Sequence, residues 1–169
     1  MMIYLAGPLF TLSELDFNNR LRNLLEEAGH RVWLPQEQAL MSQEAISILS
    51  KLLSGLRASD VIIANMDGAD PDSGTSWECG YAYAYGKPTI LFRTDSRSRR
   101  DENLGPYNLM MWASATVRLD GPFASVKELA SVIVPLLDGT SLKKRFDDQQ
   151  SRLHRRELPS PREVTHRTI

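Results

Sequence analysis

The sequence predicts an α/β fold with a parallel sheet covered on both faces. Compact, wholly apolar runs of strand length recur along the chain, and segments with helical apolar spacing stand between them. The links are short, which implies right-handed crossovers between parallel strands. Ligands of such sheets bind beyond the carboxyl ends of the strands, so the loops after Leu5, Asn65 and Phe92 carry the functional expectations.

"MIYLAG" at residues 2–7 is a buried strand, ended by Gly7 and Pro8. From Ser13 onward, Leu15, Phe17, Leu21, Leu24 and Leu25 follow the helical period, and Gly29 stops that helix. "RVWLP" gives a second strand broken by Pro35, and "SQEAISILSKLLSGLRASD" a helix with Ala45, Ile46, Leu49, Leu52, Leu53 and Leu56 on one side. "DVIIANMDG" is a third, fully buried strand, "GTSWECGYAYAYG" a helix and "KPTILFR" a fourth strand. After the polar stretch "TDSRSRRDENLGPYN", "ATVRLD" reads as the fifth strand and "SVKELASVIVPLL" as the last helix. Residues 1–139 make one domain, and the charged, apolar-poor segment 140–169 is expected to be a tail without fixed structure of its own.

A chain of 169 residues with 42% hydrophobic content is large enough for one core. Its formal net charge of -1 argues against a protein that coats a nucleic acid polymer or an anionic membrane, since that requires a surplus of Lys and Arg. Small molecules are the expected partners. The opening "MMIYLAGPLF" is too short for a membrane span and lacks the basic flank of a signal peptide. With Cys79 as the one cysteine and three scattered histidines, neither an internal disulfide nor a structural zinc site is expected, and the cytoplasm is the natural setting.

Residues 70–88, "DPDSGTSWECGYAYAYGKP", crowd Asp70, Asp72 and Glu78 around the start of a helix. Each has a plain structural reading. Thr75 and Glu78 stand three apart as in a capping box, Asp72 suits a cap, Asp67 with Gly68 suits a turn, and Asp60 a strand junction. Cys79 reads as a small buried hydrophobe, the tyrosines of "YAYAYG" as packing, and Asn108 and Met110 as loop and core residues. Together the residues allow more. A carboxylate in the first turn of a helix, favoured in its ionised form by the dipole, with a second carboxylate a turn away and a tyrosine on a neighbouring strand end, would make a polar cluster suited to attack at a sugar carbon.

Four pieces, "IYLAGP" at 3–8, "SDVIIANMDG" at 59–68, "DSGTSWECGYAYAYGKP" at 72–88 and "PYNLMMW" at 106–112, resemble in order and spacing the nucleoside 2-deoxyribosyltransferases and their N-glycoside hydrolase relatives. The resemblance spans roughly residues 2–136. It implies a flavodoxin-like, Rossmann-like three-layer domain with a five-stranded parallel sheet. It also implies that Glu78 attacks the anomeric carbon of a 2'-deoxynucleoside, that Tyr4 holds Glu78 and crowds the 2' position, and that Asp72 contacts the substrate. Gly7, Pro8, Asp67 and Gly74 fall among the substrate-binding positions, while Asn108 and Met110 match residues that reach a neighbouring subunit's pocket in a homodimer or larger assembly. The implied partners are 2'-deoxynucleosides and free nucleobases, with no cofactor and no metal.

Two departures shape the expectation. The family usually carries an acid eight positions before the aspartate matching Asp60, where this chain has Leu52, so the proton donor to the base falls to Asp72, Asp67 or water. The relatives that act on 5'-monophosphates carry a basic residue in the first loop; "GPLFTLSE" has none, which favours nucleosides over nucleotides. Three readings stay open: transfer of 2-deoxyribose between bases, hydrolysis of the same bond, and a nucleoside-binding domain without catalysis, the last motivated by Leu52.

Overall fold

A computed structural model describes residues 1–39, 44–95 and 107–155. Its elements are β1 (Met2–Ala6), α1 (Leu12–Glu27), β2 (Arg31–Trp33), α2 (Pro35–Ala39), α3 (Ala45–Ala58), β3 (Val61–Asn65), α4 (Ser73–Ala84), β4 (Thr89–Arg93), α5 (Leu109–Ser114), β5 (Val117–Asp120), α6 (Val126–Ile133), a 3-10 turn at Val134–Leu136 and α7 (Gly139–Arg155). The strands form one five-stranded sheet in the order β2-β1-β3-β4-β5, and every adjacent pair is parallel. This is the three-layer α/β architecture expected from the sequence, with the flavodoxin-like strand order.

The period-two alternation of side chains sorts the core into two layers. Ile3, Leu5, Val61, Ile63, Ile90 and Phe92 face α1 and α6, where Leu21, Leu25, Leu129 and Ile133 meet them. Tyr4, Ala6, Ile62, Ala64 and Leu91 face the opposite layer, against Leu56 of α3, Cys79 and Ala82 of α4 and Met111 of α5. β3 and β4 are buried throughout, which is why they read as unbroken apolar runs. No helix among the described residues is long and apolar enough to cross a membrane.

Three segments differ from expectation. Pro35 ends β2 as foreseen, but it also starts the short helix α2, where a missing N–H costs nothing. Asn108 caps α5, its Oδ1 accepting from the Met110 N–H at 2.9 Å, and Met110 is 76% exposed, so it is not a core residue. The segment after 139 is not structureless: α7 runs to Arg155. Leu142 and Phe146, one helical turn apart, are buried, and Gln149 Nε2 donates to the Ala113 and Ala115 carbonyls at 2.9 and 2.8 Å. Two apolar anchors and one amide thus dock the described part of this helix. The polar stretch at 96–106, the start expected for the second long helix at 42–43 and the tail from 156 lie outside the described residues.

Candidate functional site

The strand order reverses between β1 and β3, whose carboxyl ends open the crevice in which ligands of such sheets bind. Two cavities lie there. An outer one of about 430 Å³ is lined by Pro8, Phe10, Glu14, Asn65, Asp67, Gly68, Asp70 and Asp72, among others. An inner one of about 140 Å³ is walled by Gly7, Leu9, Phe10, Pro35, Leu52, Asp72, Gly74, Thr75 and Glu78. Phe10 and Asp72 line both.

Glu78 is brought there by α4, which packs its Thr75, Glu78, Cys79 and Ala82 face inward. Ala6 and Ala64, paired across β1 and β3, are small and share this layer of the core with Cys79 and Ala82. Tyr4, on the same face of β1, is wholly buried and donates its hydroxyl hydrogen to Glu78 Oε1 at 2.5 Å. Burial pushes the Glu78 carboxyl up to about 7; the Tyr4 hydrogen bond opposes this and the Asp72 charge adds to it. Burial, then the adjacent Glu78 charge, holds the Tyr4 phenol far above its usual range, so it acts as a donor. Cys79, behind Glu78, is pushed up to about 12 by burial, and it packs as the small hydrophobe expected.

The helix start differs from the capping box expected of Thr75 and Glu78. Asp72 is the N-cap, and its Oδ2 accepts from the Thr75 N–H at 2.8 Å and the Thr75 hydroxyl at 3.0 Å. The N-cap lies three residues before Thr75 and the helix begins at Ser73, so Glu78 falls in its second turn, beyond the strongest part of the dipole. Its ionisation is therefore governed by burial. Gly74 leaves room for the cap: a Cβ there would stand 3.1 Å from Asp72 Oδ2.

Gly7 lies at the end of β1, where a Cβ would meet Asn65 at 3.3 Å, so its lack of a side chain lets the first loop close onto β3. The Pro8 carbonyl accepts from Asn18 Nδ2 at 3.0 Å, and Asn18 in turn donates to Gln36 Oε1 at 3.1 Å. Asp67 borders the outer cavity, yet both its oxygens are engaged, accepting from the Thr94 N–H and hydroxyl at 2.6 Å each and from the Asp95 N–H at 3.0 Å. Arg93, 3% exposed, donates to the Met66 and Gly68 carbonyls at 2.8 and 2.6 Å and pairs with Asp95 at 2.8 Å, fixing the loop after β3. Gly68 itself has φ +110, a conformation that favours glycine. Asp60 accepts from the Met2 N–H at 2.7 Å, at the opposite end of the strands.

The structure thus gathers Tyr4, Gly7, Pro8, Asp67, Asp72, Gly74 and Glu78 at one crevice, and Leu52 with them. It does not bring Asn108 and Met110 to that crevice. Met110 lines a separate apolar cavity of about 390 Å³ with Ser76, Gly80, Tyr83 and Leu109, and Asn108 caps its own helix. Residues that sequence reasoning missed are the positioning groups Asn18, Gln36, Asn65, Arg93 and Asp95 and the wall residues Leu9, Phe10 and Pro35. Asn18 alone left a signal: a polar side chain on the apolar face of the first helix.

The family profile described as nucleoside 2-deoxyribosyltransferase matches residues 3–110. Among solved structures, the chain is similar to a conserved protein from Enterococcus faecalis V583, at 27% identity over 81% of this chain and 99% of that one, with a TM-score of 0.65. It is also similar to a 2-desoxiribosyltransferase from Leishmania mexicana, at 30% identity over 79% of this chain and 97% of that one, TM-score 0.61. A 2-deoxyribosyltransferase from Bacillus psychrosaccharolyticus, 23% identical over 77% of this chain and 90% of that one, shares the fold with a TM-score of 0.60. No curated protein matched the chain. The crevice at the β1–β3 switch point, the profile over most of the sheet and these likenesses agree, and the chain belongs to the nucleoside 2-deoxyribosyltransferase family.

Proposed function

We propose that the protein transfers 2-deoxyribose between nucleobases through a covalent deoxyribosyl ester on Glu78. The observation that carries this reading is the buried Tyr4–Glu78 pair at the inner end of the switch-point crevice. Family membership already makes the chain an enzyme of the nucleoside deoxyribosyltransferase type, acting on N-glycosides. With Glu78 Oε1 held by Tyr4, the other oxygen is free to bond C1' of the sugar. The C1'–N bond breaks, its electron pair leaving with the base, and the oxocarbenium character of the transition state is stabilised by the adjacent carboxylate. A nitrogen of a second base then attacks C1' from the face the first base left, so two inversions retain configuration and restore the carboxylate.

Asp72, which borders both cavities, contacts the substrate, while Gly7, Pro8, Asp67 and Gly74 shape the surrounding loops. Among the described lining residues of the two cavities there is no Lys or Arg, which supports nucleosides rather than monophosphates as substrates. Asn108 and Met110, exposed and outside their own crevice, serve a neighbouring copy, so the working unit is a homodimer or larger. The catalytic domain comprises residues 1–139 together with the docked helix α7, and its role is nucleoside salvage in the cytoplasm.

The test is chromatography of the protein with 2'-deoxyadenosine, with and without cytosine. A new deoxynucleoside formed only with the acceptor, and lost in Glu78→Ala, is the expected result. Free base released at the same rate without acceptor would establish hydrolysis instead, and tight binding without turnover would end the enzymatic reading.

A further inference from the structure

We infer that the crevice works best on N-glycosides whose base already carries a positive charge, such as an N7-alkylated purine 2'-deoxynucleoside, and that Leu52 sets this preference. The inference rests on the Glu78 chemistry proposed above and concerns which leaving group that chemistry favours.

Breaking the bond to a neutral base without a proton donor moves the negative charge of Glu78 onto the departing base. A positioned acid avoids this and contributes typically about 10²- to 10⁴-fold. Around Glu78, Leu9, Phe10, Pro35 and Leu52 hold no transferable proton. The hydrogens nearest to hand are spoken for: Tyr4 gives its own to Glu78, and the Thr75 hydroxyl gives its own to Asp72. Asp72 Oδ2 is an acceptor twice over. Among the described residues, the inner cavity therefore sets two carboxyl groups, Glu78 and the Thr75-bonded Asp72, against the apolar wall of Leu9, Phe10, Pro35 and Leu52, and that wall supplies no acid.

The outer cavity has the complementary property. Glu14, Asp67, Asp70 and Asp72 line it without a described cation. The described hydrogen-bond donors to the Glu14 and Asp67 carboxylates are backbone N–H groups and a hydroxyl, all neutral, so they form no ion pair. A crevice of one sign concentrates ligands of the other.

A cationic base removes the need for a donor. As Glu78 bonds C1' and the C1'–N9 bond breaks, the electron pair returns to N9 and neutralises the N7-alkyl purine, which departs uncharged. A carboxylate and a cation become an ester and a neutral base, and loss of both charges is favoured against apolar walls, where charge is poorly solvated. Water or an acceptor base then takes the sugar, losing one proton to solvent and regenerating the carboxylate. Leu52 matters because it lines the same inner cavity as Glu78, taking a stretch of wall that a carboxylic acid could occupy.

The experiment compares kcat/KM for N7-methyl-2'-deoxyguanosine and 2'-deoxyguanosine, each divided by its uncatalysed cleavage rate in the same buffer. It is done for the native protein, Leu52→Asp and the apolar control Leu52→Met. The expected result is an acceleration at least about 100-fold larger for the methylated substrate in the native protein, matching the missing acid contribution. Leu52→Asp narrows that ratio tenfold or more by raising the neutral substrate, and Leu52→Met leaves it in place. Cleavage of both substrates with equal acceleration would overturn the inference and leave the Glu78 chemistry standing. Cleavage of neither would remove the N-glycosidase reading and this inference with it. Should Leu52→Asp not fold, the native ratio and Leu52→Gln, which offers no acid and should keep the ratio high, still decide the matter.

Discussion

Tyr4 and Glu78, separated by 74 residues in sequence, share one buried hydrogen bond of 2.5 Å in which the phenol donates to the carboxylate. The bond joins the strand β1 to the helix α4 and engages Glu78 Oε1, which leaves Oε2 for the proposed attack. Tyr4→Phe keeps the ring and removes the donor, so the Glu78 carboxylate loses a stabilising partner and its ionisation moves to higher pH. A hydrogen bond to a charged group contributes about 1.5–3 kcal/mol, which corresponds to a rise of roughly one to two pH units in the acid limb of kcat/KM. The pH profile of the variant checks this, and an unmoved limb would detach Tyr4 from the ionisation of Glu78.

In the native protein, activity should climb as pH rises through about 7, because the attack proposed for Glu78 needs its ionised form and burial holds its carboxyl there. Stability should run the other way. The folded group sits near 7 and the ordinary value is 4.5, so between these the folded state binds more protons than the unfolded one, and stability falls as pH rises. Above pH 7 the ionised carboxylate costs the fold roughly 3 kcal/mol. Glu78→Gln, inactive, should therefore be more stable than the native protein at pH 8 and show little difference near pH 4. Urea unfolding at the two pH values measures both.

Asp72 has two separable effects. Asp72→Asn keeps an N-cap for α4 but removes the charge that helps raise Glu78, so the acid limb should move to lower pH with little loss of stability. Asp72→Ala should shift the limb likewise and also cost about 1 kcal/mol of unfolding free energy through the lost cap. Paired thermal melts and pH profiles tell the roles apart.

Gly55→Ala offers a test of packing. In an exposed helix this change would be favourable by about 1 kcal/mol. Here a Cβ would fall 2.3 Å from Trp33 Nε1, so the indole must move, and overpacking of this kind costs about 1–3 kcal/mol. Net destabilisation, read as a lower urea midpoint, is the expected sign.

Much of the fold was legible because β1, β3 and β4 are short, largely apolar runs bounded by Gly, Pro, Asp or Asn, which is the pattern of strands covered on both faces. α2 and α5 were not, because five or six residues hold too few turns to show a period. α7 escaped because Leu142 and Phe146 are its only described side chains buried in the core, on an otherwise charged segment. At the site, the Thr75–Glu78 spacing suggested a cap where the true cap lies three residues earlier. That error displaced Glu78 by a turn and replaced a dipole effect with a burial effect. The pairing of Tyr4 with Glu78 came only through resemblance, since strand and helix are far apart in sequence.

Gln149 reaches back 36 and 34 residues to the carbonyls of Ala113 and Ala115. During synthesis those residues leave the ribosome long before the amide that covers them, so the end of α5 waits, hydrated, for the last described helix. Assembly of this domain is in that sense closed from its carboxyl end. Chains stopped before residue 149 would carry the whole crevice yet should exchange the backbone amides of α5 and the start of β5 faster than the complete chain does.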